Sequence, residues 1–187
     1  DNNFIVTCHR FATACGFSPR IRLDLVLNDF VASAMTTKEI KILSDGTPWR
    51  PLIHVSDMAR AMEWSMRRKL SEGGGFLILN TGSNMWNYQI KDLAFAVRDT
   101  LGDCSVSINE KAEPDNRSYK VDFSKFHEIA ADNTPQISLK LAADGLITGL
   151  GEINFSDRKF RSSDLIRLNV LRKHITEGRL TNLLKWT

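Results

Sequence analysis

Arginines stand at the junctions of this chain. Arg10 closes a short apolar run, Arg20 and Arg22 follow Ser18-Pro19, and Arg117 lies within "EPDNRSYKVD". Arg50 comes just after Gly46, Pro48 and Trp49 and is followed at once by Pro51. A guanidinium is a planar fork of donors that can engage phosphate oxygens two at a time. Mounted beside proline or glycine, such a fork loses less freedom on binding, and several converging on one cleft suit a diphosphate. A single loop arginine is ordinarily a solvated charge whose ion pair is worth less than about 1 kcal/mol. Convergence is therefore what gives these arginines meaning.

Other chemistries have less support in the residues. No G-x-G-x-x-G opens a helix after a strand, and "SEGGGF" precedes a strand, the wrong side for cradling phosphate. Neither Tyr88 nor Tyr119 has a lysine four residues on. His9, His54, His127 and His174 are scattered among neighbours unsuited to zinc, and no Gly-x-Ser-x-Gly elbow occurs. No catalytic residue and no metal site is expected in this chain by itself.

The elements that must position the arginines follow from periodicity. "NFIVTCHRFA" predicts a buried strand, "TACGFSPRIR" a loop, and Leu23–Met35 a helix with Leu23, Val26, Leu27, Phe30, Val31 and Ala34 inward. "EIKILSDG" and "PLIHV" predict strands. Ser56 or Asp57 is expected to cap the next helix, with Met58, Ala61, Met62 and Met66 on its inner face. "FLILNTG" has the uninterrupted apolar character of a strand buried on both faces. "YQIKDLAFAVRDTLG" predicts a helix stopped by Gly102, "SVSINEK" a half-exposed strand, and "PQISLKLAADGLITGL" a further helix. Residues 155–187 are read as a basic tail, helical from Ser163 through Arg179. This alternation of strand and helix predicts an α/β class.

Composition narrows the function classes. A hydrophobic fraction of 42% and a charged fraction of 25% fit a globular chain. The formal net charge of +3 does not argue for nucleic acid. The tail's Arg158, Lys159, Arg161, Arg167, Arg172 and Lys173 lack the interleaved aromatics of a nucleic-acid surface. Cys8, Cys15 and Cys104 have no C-x-x-C spacing and predict free thiols in a reducing compartment. With no apolar run near twenty residues and no leader, the expectation is a cytoplasmic protein with no membrane contact.

The stations "HRFATACGFSPRIRLDLVLNDFV … ILSDGTPWRPLIHVSDMARA … LNTGSN" resemble the C-terminal half of extended short-chain dehydrogenases/reductases, the NAD(P)-dependent nucleotide-sugar epimerase/dehydratase family. They are Arg10, Gly16, Asn28, Gly46 with Arg50, Val55 with Asp57 and Ala59, and Asn80 with Gly82. "DNRSYKVDFSK" is similar to the family's later phosphate-binding segment, and the likeness extends over roughly residues 4–145. The resemblance implies the C-terminal part of a Rossmann-type NAD(P)-binding fold plus a smaller α/β substrate-binding domain. Residues 1–150 would hold the end of the Rossmann sheet interleaved with the substrate domain, and 151–187 the helical tail.

It further implies that Arg50, Arg117 and Asn28 meet the diphosphate of a nucleotide-diphosphate sugar, with Arg20 a phosphate or sugar contact. Thr13 stands where relatives carry an Asn near the sugar and nicotinamide, so Ala12 and Thr13 are the positions expected to border the cofactor, NAD or NADP. Cys15 and Phe17 replace the family's commoner Tyr and Pro. Hydride transfer through a keto-sugar would need a glycine-rich turn and a Tyr-x-x-x-Lys upstream of Asp1. The chain is thus expected to be inactive alone, to pair with that N-terminal half, and to form homodimers as such enzymes commonly do. A non-catalytic nucleotide-sugar-binding or assembly module remains the alternative.

Overall fold

Three small sheets carry the strands, and helices cover them. The computed structural model describes residues 4–112 and 117–187. In chain order the elements are β1 (Val6–Phe11), β2 (Thr13–Cys15), α1 (Val26–Thr37), β3 (Glu39–Ile42), β4 (Trp49–His54), α2 (Val55–Arg67) and β5 (Phe76–Thr81). There follow β6 (Asn87–Gln89), α3 (Ile90–Leu101), β7 (Ser105–Ile108), α4 (Ser124–Ala130), α5 (Leu139–Glu152) and α6 (Arg167–Thr176). β1 pairs with β5 and β3 with β7, both parallel; β2, β4 and β6 form a sheet in which β2–β4 is parallel and β4–β6 antiparallel. This is the α/β class with parallel pairing that the alternation predicts. Residues 113–116 of the polar loop, like the first three residues, lie outside the described residues.

The main core forms where α1, α3 and α5 pack together over β3 and β4. α1 supplies Leu27, Phe30, Val31 and Ala34 at helical spacing, α3 supplies Leu93, Ala94 and Val97, and α5 supplies Leu146 and Leu150. α3 stops as expected: Gly102 takes a left-handed φ of 81° and its N–H closes on Arg98 O.

Several expectations are corrected. The segment read as a loop after β1 contains β2, because Thr13 to Cys15 find a parallel partner in Leu52 to His54. α1 begins at Val26 rather than Leu23, although Leu23 is buried beneath it. The cap of α2 is neither Ser56 nor Asp57: His54 Nδ1 accepts from Ser56 N at 3.2 Å. Met62 and Met66 are 47% and 81% exposed, since α2 turns Asp57, Ala61 and Trp64 inward instead. β5 is buried on one face only. Leu77 and Leu79 pack with Ala61, Trp64, Phe126 and Ala130, whereas Phe76 and Ile78 are 63% and 44% exposed. In the tail the regular helix is limited to Arg167–Thr176.

The stretch before β5 is held by a residue whose role is invisible in its local sequence. Arg68 is 4% exposed and donates to Thr7 Oγ1, Glu72 O, Gly74 O and Val6 O at 2.7–3.1 Å. One guanidinium thereby ties the glycine-rich turn to the start of β1. Truncation leaves half-buried carbonyls without donors, so Arg68→Ala is expected to lower unfolding free energy by about 2 kcal/mol, measured by urea denaturation.

His9 and His54 make stability pH-dependent. Burial lowers the pKa of both, offset in part for His54 by the charge of Asp57. His9 bridges three elements, with Nδ1 2.7 Å from Thr81 Oγ1, Nε2 on Ser65 Oγ, and its ring stacked on Phe11. The folded state thus favours the neutral rings. As pH falls through 6.5, the unfolded chain binds protons that the folded chain refuses, and stability drops. Urea midpoints are expected to fall between pH 7.5 and pH 5, and His9→Asn to flatten that slope.

Candidate functional site

The loop that carries Arg50 is fixed from both ends. Gly46 takes φ 78°, and a Cβ there would come within 2.9 Å of Lys91 Cβ, so glycine is required at the turn. Gly46 O accepts from Lys91 N at 3.0 Å, and Pro48 O from Ile90 N at 3.0 Å, which fastens the turn to the start of α3. Trp49 is gripped by the segment after the polar loop: its N–H donates to Ser118 Oγ at 3.0 Å and its carbonyl accepts from Tyr119 N at 3.3 Å. Lys120 Nζ stands 3.6 Å from the Trp49 ring centre, a cation on an aromatic face. Strand pairing then sets direction. Arg50 lies opposite Tyr88 of β6, and two residues on, Leu52 lies opposite Thr13 of β2. With a strand period of two, Thr13 and Arg50 share a face of the sheet.

That face opens into a cavity of about 670 Å³. Its walls include Thr13, Arg50, Arg117, the first turn of α1 around Asp24 to Phe30, the end of β3 from Lys41 to Ser44, and Arg161. Arg50 Nη1 donates to Trp49 O at 2.8 Å and also to Arg117 O, so the two arginines are neighbours on one wall although 67 residues separate them. The first turn of α1 adds to this polarity, since its N-cap residue, Leu25, makes no side-chain cap bond.

The carboxylates on the walls have partners. Asp24 is held below its ordinary range by hydrogen bonds from Arg22, whose Nε donates to it at 3.1 Å. Asp29 accepts from Arg161. Two groups favouring the neutral form sit elsewhere: burial, aided by Asp57, pushes the Cys15 thiol up to about 12, and burial raises Tyr88. Neither lines the cavity. Along the described walls, Asp24 and Asp29 are thus each held by a guanidinium.

Among the expected site residues, Thr13, Arg50 and Arg117 come together. Asn28 does not join them. It is buried, its Oδ1 accepts from Gly16 N at 3.0 Å, and its Nδ2 donates to Gly16 O at 3.4 Å and Arg22 O at 3.0 Å. Its amide shapes the 16–22 loop. Arg20 is exposed on a separate, smaller groove beside α6. Ala12 is buried against Ile53 and Phe123. Sequence reading missed Lys41, Ser44, Asp29 and Arg161. Lys41 sits at an exposed strand position like any solvated lysine, and Arg161 is 132 residues from the aspartate that seats it.

Among the described residues no cluster of His, Cys, Asp and Glu could hold a metal ion. None of the described helices is long and apolar enough to cross a membrane.

Fold and cavity define an α/β scaffold with an arginine-lined site on one sheet face. The sequence model of the "NAD dependent epimerase/dehydratase family" matches residues 1–82. The resemblance read from the stations Arg10 to Gly82 is thereby borne out. A GDP-L-fucose synthase homologue of Arabidopsis thaliana is 33% identical over 116 residues, covering 62% of this chain and 32% of its own length. Among solved structures, MoeE5 in complex with UDP-glucuronic acid and NAD superposes with a TM-score of 0.62 at 22% identity, over 80% of this chain and 48% of that one. UDP-glucose 4-epimerase from Bifidobacterium longum, in complex with NAD+ and UDP, gives 0.64 at 17% identity, over 81% and 49%. These likenesses show a Rossmann-type α/β fold. The chain spans about a third of the length of the curated relative and about half of those solved structures.

Proposed function

We propose that this chain is the substrate-binding portion of an NAD(P)-dependent nucleotide-sugar epimerase or dehydratase, and that its cavity takes a nucleoside-diphosphate sugar. One observation carries the reading: Arg50 and Arg117 are brought together on a cavity large enough for such a ligand. Arg50 and Arg117 bind the diphosphate oxygens, and Thr13, on the same sheet face, offers a hydroxyl to the sugar. The likeness of residues 1–82 to the family, and relatives solved with UDP-sugars and NAD, support it.

The described residues do not themselves fit a dinucleotide. They include no glycine-rich strand–turn–helix, and Ala12 is packed in a small core rather than open to a ligand. When bound, NAD(P) supplies the oxidation and reduction of a sugar carbon. This chain's own residues contribute anchoring and orientation. β1 bears on what completes the fold: among the described residues it pairs with β5 alone, and Phe76 and Ile78 leave an apolar sheet face exposed. Such an edge accepts further strands and such a face a covering helix, as a dinucleotide-binding part would provide.

Calorimetric titration of the chain with UDP, GDP and their sugars tests the reading. Saturable binding that weakens as ionic strength rises is expected, with no saturable binding of NAD alone. A chain that binds neither nucleoside diphosphate contradicts the proposal.

A further inference from the structure

The segment after α5 lies against the cavity, and its chemistry is that of a third anion contact. Phe160 is buried in the main core and packs edge-on to Phe155, with ring centres 6.0 Å apart. Arg158 Nε donates to Thr36 O at 3.1 Å, near the end of α1. Between these anchors and α6, Arg161 reaches the first turn of α1. Its Nε donates to Asp29 Oδ2 at 2.7 Å, and its Nη2 to Asp29 Oδ1 and Ser33 Oγ, both at 2.6 Å. The guanidinium also lies over the Phe160 ring, 4.8 Å from its centre. Asn169 Nδ2 donates to Arg161 O at 2.9 Å and fixes the backbone.

Arg161 is thus oriented on three sides, and among the described residues its Nη1 makes no hydrogen bond. It lines the same cavity as Arg50 and Arg117. A guanidinium seated by a carboxylate has lost its rotamer freedom before any ligand arrives, so a ligand oxygen meets a prepaid donor. A surface pair formed for stability alone would contribute little. Here the pair stands at the wall of a cavity that already holds two arginines and Lys41.

We infer that Arg161 is a specificity-determining residue of the cavity, seated by Asp29 and Ser33, which uses its Nη1 N–H groups on the anionic oxygens of the ligand and favours a diphosphate over a monophosphate. This rests on the reading of the cavity as a nucleoside-diphosphate site. The selectivity follows from number: a diphosphate carries a second phosphate group, whose oxygens give Arg161 an acceptor beyond those engaged by Arg50 and Arg117.

The test is calorimetry on the full chain with UDP, GDP, UMP and GMP. Arg161→Ala is expected to weaken the preferred diphosphate about tenfold and its monophosphate less than about threefold. Arg161→Lys, which keeps the charge without the fork, should recover only part of the loss. Arg158→Ala serves as the control, because it loosens the same segment without touching the cavity, and it should leave affinity within about twofold. An equal loss in Arg158→Ala, or equal losses for diphosphate and monophosphate, overturns the role of Arg161. So does an unchanged affinity in Arg161→Ala while Arg50→Ala still weakens binding, which leaves the nucleotide site standing. Failure of the wild-type chain to bind any of the four removes the site and this inference with it.

Discussion

Arg50→Ala is expected to weaken binding of UDP or GDP by roughly 50-fold, the larger loss of the two arginine truncations. Two contributions add. The variant removes a charged donor from the cavity wall, and it removes the hydrogen bond that Arg50 Nη1 gives to Arg117 O, so the second guanidinium loses a support. Arg117→Ala deletes a side chain but leaves its carbonyl to hold Arg50, and its loss should be nearer tenfold. Arg50→Lys should fall between, because an ammonium is a point charge and cannot present the planar fork. Backbone disruption is not the cause to be expected. Trp49 and Pro51 keep their strand pairings with Gln89 and Asn87, and thermal midpoints of the variant should stay within a few degrees of wild type. Equal affinity in Arg50→Ala and wild type would dismiss the diphosphate assignment.

Asp57→Ala is expected to cost about 4 kcal/mol of stability, a large share of what a domain of this size has. Asp57 is 1% exposed in the first turn of α2. Its oxygens accept from Gln136 N at 3.0 Å and Ile137 N at 3.2 Å, and Arg60 Nη1 donates to the first of them. One carboxylate therefore clips the chain before α5 onto α2, across 79 residues, and neutralises a half-buried arginine. Removing it strands two backbone donors and a cation together. Asp57→Asn keeps one carbonyl acceptor but no charge and should lose about half as much. Urea denaturation at pH 7.5 measures both, and a loss under about 1 kcal/mol in Asp57→Ala would show the clip to be dispensable. The family pattern marks Asp57 through its neighbours Val55 and Ala59; the bond to residues 136 and 137 explains physically why an acceptor is needed there.

Local chemistry was legible wherever it is self-contained. Gly102 ends α3 and Gly46 turns the chain before β4, since each needs only a backbone conformation that its own residue permits. β7 alternates in exposure as "SVSINEK" predicts, because one face of a two-residue period meets the core. Arg50 and Arg117 were legible as a pair through family resemblance and the chemistry of their forks. The methionines of α2 show where periodicity stops. Met58, Met62 and Met66 share helical spacing with Ala61, but spacing defines a stripe without naming its neighbour, and Trp64 and Ala61 met β5 and α4 first.

Asn28 and Arg161 mark the same boundary within the site. An asparagine entering a helix offers the same amide whether it faces a ligand or a backbone loop, and the curl of Gly16 back over α1 consumed it. Arg161 looks like one more charge of a basic tail until Phe160 sinks into the core and delivers it to Asp29. What the chain's residues determined unaided were the strand–helix alternation, the turns and the presence of guanidinium forks, all consequences of interactions spanning a few residues. Which forks share a cavity, and which polar groups are already satisfied, was decided by packing between segments from 6 to 132 residues apart, where direction and distance are set by the whole fold.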